Sequence, residues 1–105
     1  MGPWLDRMDR HFDDKFRNIP LKMKPSEYFR RQCWISFEPV EECLPLLVPY
    51  LGAERMMWAT DYPHKDAFYP GAPDMIEKHL REHGLPESVQ RKVLAQSAVD
   101  FYRLD

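Results

Sequence analysis

Apolar positions recur along the chain in two rhythms. From Pro3 onward Trp4, Leu5, Met8, Phe12 and Phe16 return at helical spacing, while Asp6, Arg7, Asp9, Arg10, Asp13, Asp14 and Arg17 occupy the other side. This predicts an amphipathic helix with a mixed-charge solvated face and an apolar stripe that needs cover. Proline at its start costs no backbone bond. The stretch from Asn18 to Pro25 is bracketed by Pro20 and Pro25 and reads as a connector. Pro25 to Arg31 then offers a single helical turn, with Ser26 as cap and Glu27 in the favourable first turn.

The rhythm then shortens. Cys33-Trp34-Ile35-Ser36-Phe37 is aromatic and β-branched and is closed by Glu38-Pro39, which predicts a first strand. Glu41-Glu42 open a helical segment whose apolar residues are Leu44, Leu46, Leu47, Val48 and Leu51, with Gly52 as the stop. Pro45 fits only the first turn. Pro49 kinks or shortens the helix, because proline lacks a donor and crowds the preceding turn. Met56 to Ala59 form the second strand. One helix between two strands is a βαβ crossover, so the strands are expected to be parallel with both carboxyl ends on one side.

Pro63, Pro70 and Gly71 exclude regular structure from Tyr62 to Ala72, leaving a loop that carries His64, Lys65, Asp66, Phe68 and Tyr69. Pro73 starts a helix along Met75, Ile76, His79 and Leu80 that stops at Gly84. Pro86 starts another along Val89, Val93, Leu94, Ala98, Phe101 and Tyr102, with a break expected near Gln96-Ser97.

Composition narrows the functional classes. Fifteen basic and 17 acidic side chains leave a net charge of −2 over 105 residues, which gives no electrostatic case for nucleic acid or an anionic membrane. No apolar run approaches the roughly 20 residues that span a bilayer, and no signal-peptide pattern opens the chain. Two cysteines, Cys33 and Cys43, without a CxxC pair are expected to be buried thiols in a reducing compartment. A cytoplasmic protein of one domain, residues 1–105, is the expectation.

Candidate chemistry is sparse. The chain has no HxH, HExxH, cysteine cluster, GxSxG elbow or phosphate-binding glycine loop. The remaining local constellation is Asp61 with His64, at the point where the apolar run Met56-Met57-Trp58-Ala59 ends. An acid there stands at the carboxyl end of a sheet, where α/β proteins bind ligands, although aspartate after a strand is also a common turn residue. His11 reads as a surface histidine.

Three strings carry a resemblance: Lys24-Pro25-Ser26-Glu27-Tyr28-Phe29-Arg30-Arg31-Gln32, Ser36-Phe37-Glu38-Pro39 and Met57-Trp58-Ala59-Thr60-Asp61-Tyr62-Pro63-His64. With Leu94-Ala95-Gln96-Ser97-Ala98-Val99-Asp100-Phe101-Tyr102 at the far end, the chain resembles the carboxyl-terminal part of the amidohydrolase-related family. This group of metal-dependent hydrolases includes the aminocarboxymuconate-semialdehyde decarboxylase type. The resemblance implies an α/β fold, here a partial TIM barrel. It would comprise the last two βα units, with two parallel strands and about four to five helices, because a whole barrel takes about 250 residues.

By the same resemblance Asp61 is the catalytic aspartate after the last barrel strand and a ligand of the divalent metal, zinc in the parent enzyme, but only in a complete barrel. A metal lowers the pKa of bound water and a neighbouring carboxylate takes the proton or orients the nucleophile. His64 and Glu38 are candidate substrate-binding residues, with loop stabilisation and a solvated structural role as their respective alternatives. The family's amino-terminal H-x-H and later histidines have no counterpart here, and Ser97 stands where the family commonly has asparagine.

The resemblance therefore implies a fragment of a hydrolase or non-oxidative decarboxylase of small molecules, inactive alone and with no metal expected on the isolated chain. Its open sheet surface would be covered by a homo-oligomer, by rearranged helices or by the missing barrel portion. The alternative is a non-catalytic remnant acting as an oligomerisation or binding module.

Overall fold

The computed structural model describes all 105 residues, Met1–Asp105. They divide into two compact units, Met1–Trp34 and Ile35–Asp105. The first unit is a pair of helices. Helix α1 spans Gly2–Asp14, with proline in its first turn, and α2 spans Pro25–Gln32. The two are tied by Asp9, whose carboxylate accepts from the Ser26 backbone N–H at 2.9 Å and from the Ser26 hydroxyl at 2.6 Å.

That tie corrects two expectations. α2 is a two-turn helix, and Ser26 does not cap it. Lys24 is the N-cap residue, and the Glu27 carboxylate accepts its backbone N–H at 2.7 Å. Ser26 is buried, because the acid on α1 recruits it away from its own helix terminus. Beside this, the Lys24 ammonium meets Asp13 at 2.6 Å, and that carboxylate raises the lysine above its usual pKa. The pair is half exposed, so its contribution to stability is small.

The second unit contains a two-stranded parallel sheet. Strand β1 is Ile35–Phe37 and β2 is Met56–Trp58, with Ile35 opposite Met56, Ser36 opposite Met57 and Phe37 opposite Trp58. Both strands are shorter than the apolar runs suggest, although Ala59 N–H still bonds to the Phe37 carbonyl at 3.0 Å. The crossover between them is α3, Leu44–Leu51, followed by a 3₁₀ turn at Ala53–Arg55.

α3 starts later than Glu41 because Glu41 is engaged elsewhere. Its carboxylate accepts the Glu38 backbone N–H at 2.9 Å and folds Glu38–Cys43 into turns. Pro45 lies in the first turn, and with Pro49 inside, the helix stops after two turns at Gly52. Cys43 is exposed, contrary to the buried-thiol expectation, because it stands at the N-cap of α3, before the buried residues Leu44, Pro45, Val48 and Leu51.

Helix α4 spans Ala72–Glu82. The remaining helix has an irregularity, not an interruption, where the break was expected: α5, Glu87–Arg91, continues through a π-helical turn at Lys92–Gln96 into α6, Ser97–Tyr102. With the last two joined, the chain has five helices around two parallel strands, a mixed α/β arrangement. The core of this unit is built from Phe37, Leu44, Leu51, Met56, Ile76, Leu80 and Val93, all buried. Burying such side chains is the main favourable term in folding, about 1.5–3 kcal/mol for each large aliphatic one.

Candidate functional site

Side chains alternate across a parallel pair, so Ile35, Phe37, Met56 and Trp58 share one face and Ser36 and Met57 the other. The first face is covered: Phe37 and Met56 are buried, and the Trp58 indole N–H donates to the Leu94 carbonyl in the π turn at 3.0 Å. Ser36, on the second face, is exposed. A polar depression of about 380 Å³ opens beside the carboxyl ends of the strands, lined by Ser36, Phe37, Glu38, Glu41, Ala59 and Asp61.

Asp61 sits two residues past the end of the sheet pairing at Ala59, in a left-handed backbone conformation with φ of 60°. Non-glycine residues enter this region at a cost, and aspartate is among those that tolerate it best. Local hydrogen bonds define the turn. The His64 N–H donates to the Asp61 carbonyl at 2.9 Å, the Phe68 N–H to the Thr60 carbonyl at 2.9 Å, and the Tyr62 N–H to the Thr60 hydroxyl at 3.2 Å. The Tyr62 and Tyr69 rings pack 4.8 Å apart across the loop.

The Asp61 and His64 side chains also meet, with Nδ1 of His64 2.9 Å from Oδ2 of Asp61. The imidazole is 69% and the carboxylate 50% exposed, so this is a solvated pair that orients one carboxylate oxygen without sequestering the acid.

The structure thus brings Asp61 together with both other sequence candidates, His64 through a direct bond and Glu38 across the depression. It adds Glu41, which the sequence suggested only as a helix opener. The signal for Glu41 was its position three residues after Glu38, a spacing that lets a carboxylate return to a backbone donor in a turn. His79, read as part of an apolar face, is buried and its Nε2–H donates to the Glu41 carbonyl at 3.1 Å, tying α4 to the loop that carries Glu38 and Glu41.

Ser97, where asparagine was expected, is also buried. Its hydroxyl donates to the Ala53 carbonyl at 2.8 Å, just before β2 begins.

The amidohydrolase family model matches residues 12–104. This chain belongs to the amidohydrolase family. Among solved structures it is similar to 5-carboxyvanillate decarboxylase from Sphingomonas paucimobilis, at 34% identity and a TM-score of 0.76, covering 100% of this chain and 31% of that one. It also resembles an amidohydrolase from Mycobacterium avium subsp. paratuberculosis K-10, at 23% identity and a TM-score of 0.75, covering 94% of this chain and 24% of that one. No curated protein sequence matches it.

The chain therefore spans about a quarter to a third of the length of these relatives, and its two strands and helices are a portion of a TIM barrel. In such barrels the reactive groups stand at the carboxyl ends of the strands, which is where Asp61 lies.

The family is metal-dependent, but the donors in this amidohydrolase portion do not fit a complete metal centre. No three His, Cys, Asp or Glu side chains are grouped to hold an ion, whereas a catalytic zinc takes three protein ligands and one open position. No helix is long and apolar enough to cross a membrane.

Proposed function

We propose that this chain is the carboxyl-terminal portion of a metal-dependent hydrolase or non-oxidative decarboxylase of small molecules, and that it is inactive on its own. Asp61 is the residue it contributes to catalysis. The observation that carries this reading is Asp61's position just past the end of β2, facing a polar depression, in a chain whose family match runs through that strand and its loop. The carboxylate would supply one oxygen donor to a divalent metal, with zinc as the proposed ion, and the remaining donors would come from barrel strands outside these 105 residues.

His64 would fix one oxygen of Asp61 and leave the other to the site, and Glu38 would face substrate at the mouth. The partner implied is the missing barrel portion or a second copy, in a cytoplasmic enzyme. The similarity to a decarboxylase favours substrates carrying a carboxylate, since that relative acts on 5-carboxyvanillate.

A different reading, an oligomerisation or binding module without catalysis, draws on the first unit. There Trp4, Met8, Phe16, Ile19 and Leu21 remain exposed, and with Phe12 they line an apolar groove of about 270 Å³. Exposed apolar surface of this kind marks contact sites.

Co-expression separates the two readings. Produced with a companion polypeptide that carries the amino-terminal barrel strands and their histidines, the chain is expected to form a complex that turns over a 5-carboxyvanillate-type substrate. Asp61→Asn in that complex is expected to lower kcat by at least about a hundredfold, the scale on which general acid–base groups act. A stable complex whose activity ignores Asp61→Asn would overturn the catalytic reading, and a chain that self-associates and rejects every such companion would support the module.

A further inference from the structure

The strand that leads to Asp61 is tied to one helix both before it begins and where it ends. On the amino side the Ser97 hydroxyl, 1% exposed, donates at 2.8 Å to the carbonyl of Ala53, in the 3₁₀ turn that leads into β2. At the carboxyl end the Trp58 indole N–H donates to the Leu94 carbonyl at 3.0 Å. Donor and acceptor therefore alternate between strand and helix, and the two bonds bracket Met56–Trp58.

The helix that does this is irregular at the same place. Lys92–Gln96 forms a π turn between α5 and α6, and Val93 and Ser97, one helical repeat apart, are both buried. A π turn is wider than an α turn, is rare, and occurs where it serves a specific contact. Here the segment it widens holds the Leu94 carbonyl, and the residue that follows it is Ser97.

We propose that Ser97 and Trp58 are positioning residues for Asp61: by tying the turn before β2 to the start of α6, and the end of β2 to the π turn, they fix where the strand ends and hence where the left-handed turn presents its carboxylate. The inference rests on the reading of Asp61 as the working acid, but it is tested without metal or turnover, so the two can fail separately. Asp61 lies three residues beyond Trp58, in a turn whose bonds are made within the loop itself, to Thr60, Asp61 and His64, so its placement follows where the strand ends. Release of either bond lets β2 shift along α5–α6, and the turn moves with it.

The test is amide hydrogen exchange by NMR on the full chain and on Ser97→Ala, Ser97→Thr and Trp58→Phe. The amides of Ala59, His64 and Phe68 report the sheet end and the turn, because they bond to Phe37, Asp61 and Thr60. In Ser97→Ala and Trp58→Phe their exchange is expected to accelerate about tenfold, while the amides of Ile76 to Leu80 in α4 stay within about twofold of wild type.

The His64 Nδ1 resonance is expected to move in the same two variants, reporting the altered bond to Asp61. Ser97→Thr keeps the hydroxyl and is expected to restore wild-type values. Unchanged turn amides overturn the proposal. So does acceleration shared equally by α4, or loss of folding in both Ser97→Ala and Trp58→Phe, since either outcome assigns the bonds to general stability.

Discussion

Met1–Trp34 and Ile35–Asp105 treat their apolar residues in opposite ways. The second unit buries Leu44, Leu51, Met56, Ile76 and Leu80 at no more than 1% exposure, and polar side chains on β2, α6 and α4 reach backbone atoms of neighbouring elements: Trp58 to Leu94, Ser97 to Ala53 and His79 to Glu41. In the first unit Leu5 is the one large apolar side chain that is buried, while Trp4 is 65% exposed and Met8 and Phe16 are each 45% exposed.

The same hydrophobic rhythm thus produced a packed core in one place and an open groove in the other. Periodicity specifies which side of an element is apolar, and burial depends on whether another element is present to meet it. A unit whose strand β2 is tied to α5–α6 before it begins and where it ends is suited to present an acid in a fixed place. A unit held by Asp9 and Ser26 with its stripe uncovered is suited to receive something.

The largest expected contrast comes from truncating apolar side chains in each unit. Ile76→Ala should cost about 2–5 kcal/mol in urea denaturation, the range for a fully buried aliphatic residue, whereas Met8→Ala should stay within about 0.5 kcal/mol. Equal costs would mean that the groove around Met8 is covered in solution, and would break the contrast.

A smaller effect is expected from Asp9→Ala. Removing its carboxylate leaves the buried Ser26 N–H and hydroxyl without their acceptor, a loss of about 1–3 kcal/mol. The loss should show as faster amide exchange in α1 and α2, with α4 unchanged. If α4 exchange rises as well, the two units do not open separately.

The parts of this fold that were legible in the sequence were those fixed by local chemistry. Prolines 39, 63, 70, 73 and 86 and glycines 52 and 84 bound the elements, and the short apolar runs at Ile35 and Met56 with one helix between them led to a parallel pair. The resemblance to the family rested on the strings at 24–32, 36–39, 57–64 and 94–102, and the family match over residues 12–104 bears it out.

What was not legible had two sources. Ser26 looked like a cap until Asp9, 17 residues earlier, took it, and a pattern of apolar residues does not encode such a tertiary bond. Glu41 looked like a helix start, although its carboxylate is held locally by the Glu38 N–H three residues before it, a polar turn that apolar spacing alone overlooks. Near Gln96-Ser97 the pattern marks an irregularity without saying that it is a π turn. The candidate site was half legible in the same sense. The acid, its histidine and Glu38 could be named from the sequence, while the depression that Asp61 and Glu38 share with Glu41 could not.

Under the proposed function Asp61 is one donor to a metal centre completed by residues outside these 105. Zinc titration calorimetry checks this on the isolated chain, on the complex with the amino-terminal barrel companion, and on that complex carrying Asp61→Asn. The isolated chain is expected to have no tight site, the complex one site, and the Asp61→Asn complex an affinity at least about tenfold weaker, from the loss of a charged ligand. One tight zinc per isolated chain, or an affinity in the complex unchanged by Asp61→Asn, would rule Asp61 out as that donor.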